Sequence, residues 1–410
     1  MTLRALTLVF LRIGCLSFGG PAAQIALMQR ELVERRPWLT EAEFLRALSF
    51  CMLLPGPEAM QLATYAGWRL RGTLGGLVAG SLFVLPGAAV IAALALAYAA
   101  HGDLPAVRAA FTGIQAAVIA IVVLAILRLG SKALKTWPHR AIALLAFLAL
   151  YAAHLPFPLV ILAAGAFGFL TTPAGPAAPR QSAATPWALC AALLALWAAP
   201  LIAAWGTGAD LLLALGLFFS KLALVTFGGA YAVLAWMTDE VVRQQGWLTA
   251  AQMLDALGLA ETTPGPLILV TEFVGILAGQ AEGIGLLAGG MVLWVTFVPC
   301  FLWIFAFAPH IEALTHAPRL SAALAAISAA VVGVIANLSL WFALQVLFGG
   351  TVSPALGPLS PLLPVPGTLQ PGPLVLAIAA GLALRAGLAL PLVLALSALG
   401  GLGLAALTGA

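Results

Sequence analysis

"FGGPAAQ" runs from Phe18 to Gln24 inside the first apolar stretch of the chain, where a membrane helix would be expected to continue unbroken. "FGGAYAV", Phe227 to Val233, interrupts a second apolar stretch in the same way 209 residues later. Paired glycines weaken a helix at both places. The medium these helices occupy follows from composition. The 410 residues are 63% hydrophobic and 8% charged, and the mean hydropathy is +1.10. No soluble domain of this size hides so much apolar surface, so the bilayer is the expected solvent. Gly72 to Ala100, Ala109 to Leu127 and Leu320 to Phe348 each approach or exceed the roughly 20 apolar residues that span a hydrocarbon core. The predicted fold class is an all-α polytopic membrane protein.

Composition also argues against other classes. Arg4 and Arg12 flank and interrupt the first apolar run, and more membrane sequence follows, so no cleaved signal peptide is expected. The net charge of +4 comes from basic residues in short loops between apolar runs, where they orient a membrane protein and do not mark a nucleic-acid surface. Cys15, Cys51, Cys190 and Cys300 stand singly in apolar segments, and the five histidines lack HExxH-like spacing. Neither a metal site nor a cofactor is expected. An intramembrane enzyme would need a nucleophile and base or metal ligands, such as GxSxG with a histidine, and no such set is present in the sequence.

The two glycine interruptions are part of a longer repeat. Phe18-Gly19-Gly20 matches Phe227-Gly228-Gly229, Trp38-Leu39-Thr40 matches Trp247-Leu248-Thr249, and Pro55-Gly56-Pro57 matches Pro264-Gly265-Pro266, all offset by 209. Further along, Pro86 pairs with Pro299 at an offset of 213, which implies a four-residue insertion. "PAGPAAPRQSAATP", Pro173 to Pro186, reads as a loop between the halves. Residues 1–172 are thus an N-terminal repeat, 173–208 a linker with one connecting transmembrane helix, and 209–410 a C-terminal repeat. "SPALGPLSPLLPVPGTLQPGP", Ser353 to Pro373, reads as a further loop.

Charge then distinguishes two topologies. If every apolar run of the first half crosses the membrane, Arg30, Arg35 and Arg36 lie opposite Arg69 and Arg71, against the positive-inside rule. If Gly-Gly and Pro-Gly-Pro are the tips of re-entrant hairpins, most basic residues fall on one side. The extra helix Trp187 to Trp205 then starts the second repeat on the outside, where Asp210, Asp239, Glu240, Asp255 and Glu282 face only Arg243. The expectation is two inverted repeats, with the N-terminus cytoplasmic and the C-terminus external. The competing reading is ordinary transmembrane helices with kinks, which membranes tolerate.

A helix broken at membrane depth exposes N–H groups at one end and carbonyls at the other, each costing several kcal/mol without a partner. Helix N-termini carry about half a positive charge and aim donors at anions. Gly19, Gly20, Pro55, Gly56, Pro57, Gly228, Gly229, Thr263, Pro264, Gly265 and Pro266 are therefore candidate substrate-binding positions. Arg12 and Lys221 join them, each six residues before its Phe-Gly-Gly and expected to lie buried. They either snorkel to the interface or face a divalent anion across a pseudo-twofold axis. Gln24, Gln61, Thr262, Thr263 and Thr271 either donate to an oxyanion or satisfy broken backbone. Glu58, Glu261 and Glu272 are candidates for proton coupling, although Glu58 also suits the start of its helix.

"SFGGPAAQIALMQRELVERRPWLTEAEFL", "LPGPEAMQLATYAGW", "TFGGAYAVL" and "TTPGPL" resemble the chromate ion transporter family in its long form with two homologous halves. The resemblance covers nearly the whole chain. It implies a multi-pass protein of the bacterial inner membrane that exports chromate, a tetrahedral dianion similar to sulfate, and confers chromate resistance. The absence of a nucleotide-binding motif points to a proton gradient or the membrane potential as driving force. The partners are then chromate or a sulfate-like anion and the lipid bilayer, without nucleic acid, and a homodimer is possible. Sulfate exchange or uptake, or an anion channel, are the alternatives.

Overall fold

The computed structural model of the chain describes residues 2–18, 20–173, 185–227, 230–311, 317–354 and 359–408. The first half contains α1 (Leu3–Leu16), α2 (Gly20–Gln29) running into a π-helical turn (Arg30–Glu34), α3 (Glu41–Cys51), α4 (Glu58–His101), α5 (Pro105–Ala133), α6 (Trp137–Tyr151) and α7 (Phe157–Thr171). After α8 (Trp187–Thr207) come α9 (Asp210–Val225), α10 (Ala230–Thr238) with a π-helical turn (Asp239–Gln244), α11 (Ala250–Thr262), and a 3-10 turn (Leu267–Leu269) leading into α12 (Val270–Gln280). The chain ends with α13 (Gly285–Phe307), α14 (Pro318–Leu347), α15 (Pro371–Arg385) and α16 (Leu390–Thr408). It is an all-α polytopic membrane protein, with α4, α5, α8, α13, α14 and α16 long and apolar enough to cross a bilayer. A minor addition is the antiparallel ribbon of β1 (Thr351–Val352) and β2 (Leu363–Pro364), so the stretch expected as loop from Ser353 holds one ribbon strand and the start of α15.

The elements recur as the sequence repeat requires. A π-helical turn follows α2 and another follows α10, although such turns are rare. Thr40 and Glu43 form a capping box at the start of α3, and Thr249 and Gln252 exchange the same two bonds before α11. Arg71 (φ −145°) and Gly72 (φ 62°) break α4, while its counterpart is split completely between Gln280 and Gly285. Residues 281–284 fill that gap, which locates the four-residue insertion inferred from the change of offset.

Neither interruption lies in a continuous helix. Helix α1 has 14 residues, α3 has 11, α11 has 13 and α12 has 11. At 1.5 Å per residue each falls well short of a hydrocarbon core about 30 Å thick.

The chain forms two compact units, and neither coincides with a half of the sequence. The first comprises Met1–Leu96, Pro173–Val233 and Thr263–Ser321, and the second Ala97–Thr172, Leu234–Thr262 and Ala322–Ala410. In the first, α12 packs closely on α13 because Gly275 and Gly289 leave no side chain between the backbones. In the second, α5 packs on α16, with Gly113 against the Ser397 carbonyl and Gly401 against the Ala109 carbonyl. Contacts of small residues are how helices associate in a medium that supplies no hydrophobic drive between them.

Candidate functional site

The first unit gathers both helix interruptions and both Pro-Gly-Pro turns. Helix α1 ends at Ser17, whose hydroxyl donates back to the Ile13 carbonyl at 2.6 Å, and α9 ends at Thr226, whose hydroxyl donates to Leu222 at 2.6 Å. Each residue's own carbonyl then meets a turn from the other half. The Gly265 N–H donates to the Ser17 carbonyl at 2.9 Å, and the Gly56 N–H donates to the Thr226 carbonyl at 2.8 Å. Positions 17 and 226 are equivalent under the 209 offset, as are 56 and 265, so the bonds are reciprocal. A twofold pseudo-axis generates such a pair. The turns require glycine here, because φ is +122° at Gly56 and +91° at Gly265.

Two glutamines complete the clasps. Gln24 is 1% exposed. Its Nε2 donates to the Gly265 carbonyl at 2.6 Å and to the Ser17 carbonyl at 3.4 Å. Gln61 Nε2 donates to the Pro55 carbonyl at 2.6 Å. Their repeat counterparts, Val233 and Val270, have no donor, so the first half supplies both amides and each turn receives one. The amide donors are thus used on broken backbone, while Gln24 Oε1 and Gln61 Oε1 are buried with no hydrogen-bond partner among the described residues. A Cβ on Gly56 would lie 2.8 Å from both Cys300 Sγ and Gln61 Nε2. Gly87, the counterpart of Cys300, packs against the Pro264 carbonyl.

Pro57 and Pro266 directly precede the restarted helices at Glu58 and Leu267. Glu58 is half-buried at the first position of α4. Glu272 is buried in α12, with Oε2 lacking a partner, and Thr296 Oγ1 on α13 is likewise buried and unpartnered. Thr263 and Thr271 are buried, the latter donating to Ile268. Thr262 donates to the Leu259 carbonyl, and it and the buried Glu261 belong to the second unit. Gly19, Gly228 and Gly229 lie outside the described residues.

Arg12 and Lys221 correct the expectation of a buried pair, since both are exposed. The packed stripe of α1 is Leu6, Val9, Phe10 and Ile13, and that of α9 includes Leu215, Phe218, Phe219 and Leu222. Each cation stands just off its stripe, at equivalent places. Glu31 is a buried ion-paired acid, 1% exposed in the first π-helical turn. Burial pushes its carboxyl up, but bonds from Arg36 and from Arg35 at 2.8 Å outweigh this and hold it below the usual glutamate range, with a smaller pull from Arg12.

The second unit holds a cavity of about 660 Å³, bordered by Tyr151, Trp236, Trp341, Asp239, Glu240 and Arg243. Arg243 is paired with Asp239 at 3.0 Å, which leaves an excess of negative charge unsuited to a dianion. Asp255 does not lie in an external loop as expected. It is buried in α11 at 6% exposure, because the capped helix starts at Ala250 and turns this position inward.

The chromate transporter family model matches residues 4–169 and 213–403, one stretch in each half. The chain belongs to the chromate transporter family. A chromate transport protein of Pseudomonas aeruginosa is 36% identical over 80% of this chain and 77% of its own length. A probable chromate transport protein of Synechococcus elongatus is 33% identical, covering 82% of this chain and 83% of the relative. A chromate transport protein of Cupriavidus metallidurans is 32% identical over 82% of this chain and 81% of its own. No solved structure matches the chain. In this member of the family, Ser17 and Thr226 stand outside the candidate residues named from the sequence, although "SFGG" and "TFGG" place a hydroxyl residue before both interruptions.

Proposed function

We propose that the protein is a secondary transporter that exports chromate across the bacterial inner membrane and so confers chromate resistance, driven by the membrane potential or a proton gradient. The observation that carries this reading is the reciprocal clasp of Ser17 with Gly265 and Thr226 with Gly56. It holds two helix starts, after Pro57 and after Pro266, inside one packed unit of a membrane protein. Their first N–H groups have no intrahelical acceptor and favour negative charge. A tetrahedral oxyanion has acceptors in every direction and can bridge such ends.

In this reading the halves are inverted repeats, and rocking about the broken helices gives alternating access. The second unit supports that sidedness, since its cavity draws together residues 154–157, 239, 240, 242–245 and 353, which the charge pattern puts outside. Arg12 and Lys221, exposed at matched places, attract the anion toward the helix ends. Glu58, Glu261 and Glu272 are the acids through which a proton gradient would act. The test is uptake of radiolabelled chromate into everted membrane vesicles from cells expressing the chain. Accumulation that depends on the chain and on an energised membrane is expected, with sulfate as competitor to define selectivity. Vesicles with and without the chain filling equally would overturn the proposal.

A further inference from the structure

Asp255 is a buried acid of α11 that the anion site does not use. Its Oδ2 accepts from the Tyr98 hydroxyl at 2.6 Å, and its Oδ1 accepts from Gln115 Nε2 at 2.7 Å. Within the second unit the last turn of α4, which carries Tyr98, meets Gln115 on α5 and Asp255 on α11. Gly258, one turn beyond Asp255, brings α11 onto Ile114 and Val118 of α5, so Gln115 can reach the carboxylate. Among the described residues no cation lies within ion-pair distance of Asp255.

A carboxylate buried with only neutral partners is an unusual expense in a membrane, and such residues mark ion or proton pathways. Two effects oppose each other at this site: burial favours the neutral acid, and the two donated bonds favour the carboxylate. A group that must load and unload a proton within one cycle needs both. Glu272, by contrast, has no donor on its second oxygen. Tyr98 is half-buried near the α4–α5 turn, so its side chain stands between the buried acid and the surface. It can pass its proton to Asp255 while taking another from solvent, and the reverse on release, which leaves the tyrosine unchanged.

Resting on the transport reading above, we propose that Asp255, held by Tyr98 and Gln115, is a proton-binding site that couples anion movement to a proton gradient. The groups facing it from its neighbours are few. Beyond Tyr98 stand the exposed His101 at the end of α4, its Nδ1 3.2 Å from the Ala97 carbonyl, and Asp103 and Arg108, paired with each other at 2.5 Å and exposed. Helix α16 carries no titratable side chain, and Arg128 and Lys132 of α5 lie about 20 Å or more along the helix from Gln115. On α11 itself Glu261 is nearly two turns away.

The test reconstitutes the full chain in vesicles that enclose a pH-reporting dye, with the membrane potential clamped and chromate added outside. Wild type is expected to move protons with chromate. Asp255→Asn is expected to retain chromate exchange while proton movement falls to that of empty vesicles, and Asp255→Glu is expected to restore part of it. Wild-type proton movement in Asp255→Asn overturns the proposal, as does chromate flux in wild type without proton movement. If wild type carries no chromate, the transport reading fails instead. Infrared titration of the purified chain then decides the proton site: a protonated-acid carbonyl band absent from Asp255→Asn supports it, and its presence there overturns it. Should Asp255→Asn not accumulate, Tyr98→Phe removes a bond to the carboxylate and should move that band's titration about one unit toward higher pH. An unmoved titration overturns the proposal.

Discussion

Gln24 Nε2 reaches the Gly265 carbonyl across 2.6 Å, joining positions 241 residues apart. The bond fills an acceptor at a turn that no helix serves, inside a region closed to water. Replacing Gln24 by Leu takes the side-chain donor from the Gly265 carbonyl, while Ser17 keeps its bond from the Gly265 N–H, at a cost of about 1–3 kcal/mol. The thermal midpoint of the detergent-purified protein should fall accordingly. Gln61→Leu should do the same through Pro55, and midpoints equal to wild type would remove the clasp from the energetics.

Gly56→Ala and Gly265→Ala force an L residue into positive φ, at about 1–3 kcal/mol each. Gly56→Ala adds a steric clash with Cys300 Sγ, 2.8 Å from the new Cβ. In the Gly56→Ala background, Cys300→Ala should therefore recover the part of the loss that the sulfur causes and leave the backbone strain and the contact with Gln61 Nε2. Equal melting of the single and double variants would show that the sulfur is not in the way.

Acid stability should depend on Glu31. Its folded carboxyl titrates below the ordinary value of 4.5, since the Arg36 and Arg35 bonds overcome the upward push of burial. A lowered carboxyl contributes stability above its unfolded value and loses it as pH falls through the folded one. Wild type should thus lose stability relative to Glu31→Gln as pH drops below about 4.5, with the two curves parallel above it. Glu43, lowered mainly by the Thr40 N–H, adds a separate contribution in the same direction that Glu43→Gln isolates. Curves for wild type and Glu31→Gln that stay parallel into acid would remove the ion-pair argument.

Arg12→Gln and Lys221→Gln separate stability from function. Both side chains are exposed, so folding should change by less than about 0.5 kcal/mol. Chromate flux should fall roughly tenfold to a hundredfold if each makes a charged contact of about 1.5–3 kcal/mol with the anion. Unchanged flux in both variants would remove these cations from the site.

Much of this architecture is legible in the chain because it is written twice. Phe18-Gly19-Gly20 and Pro55-Gly56-Pro57 recur at one offset, and the helices stop between Leu16 and Gly20 and between Cys51 and Glu58. The four-residue insertion, visible as a shift in offset, lies in the turn after Gln280. Side-chain direction was less accessible. An apolar neighbourhood says that Arg12 lies at membrane depth, but only the packed stripe through Phe10 and Ile13 shows that it points away from the protein. Asp255 misled in the opposite sense: acidic company suggested a loop, whereas its partners Tyr98 and Gln115 stand more than a hundred residues away and have no local signature. The exchange of Gln24 and Gln61 for Val233 and Val270 looks like drift in an alignment, and its compensation emerges only in three dimensions.

The exchanged bonds make each half an unfinished object. Ser17 needs Gly265, and Thr226 needs Gly56, so a severed N-terminal fragment keeps one acceptor and one donor that it cannot join to each other. The polypeptide behaves as a dimer tied by its own tether, and cutting within residues 173–186 should yield fragments that survive in the membrane only when made together.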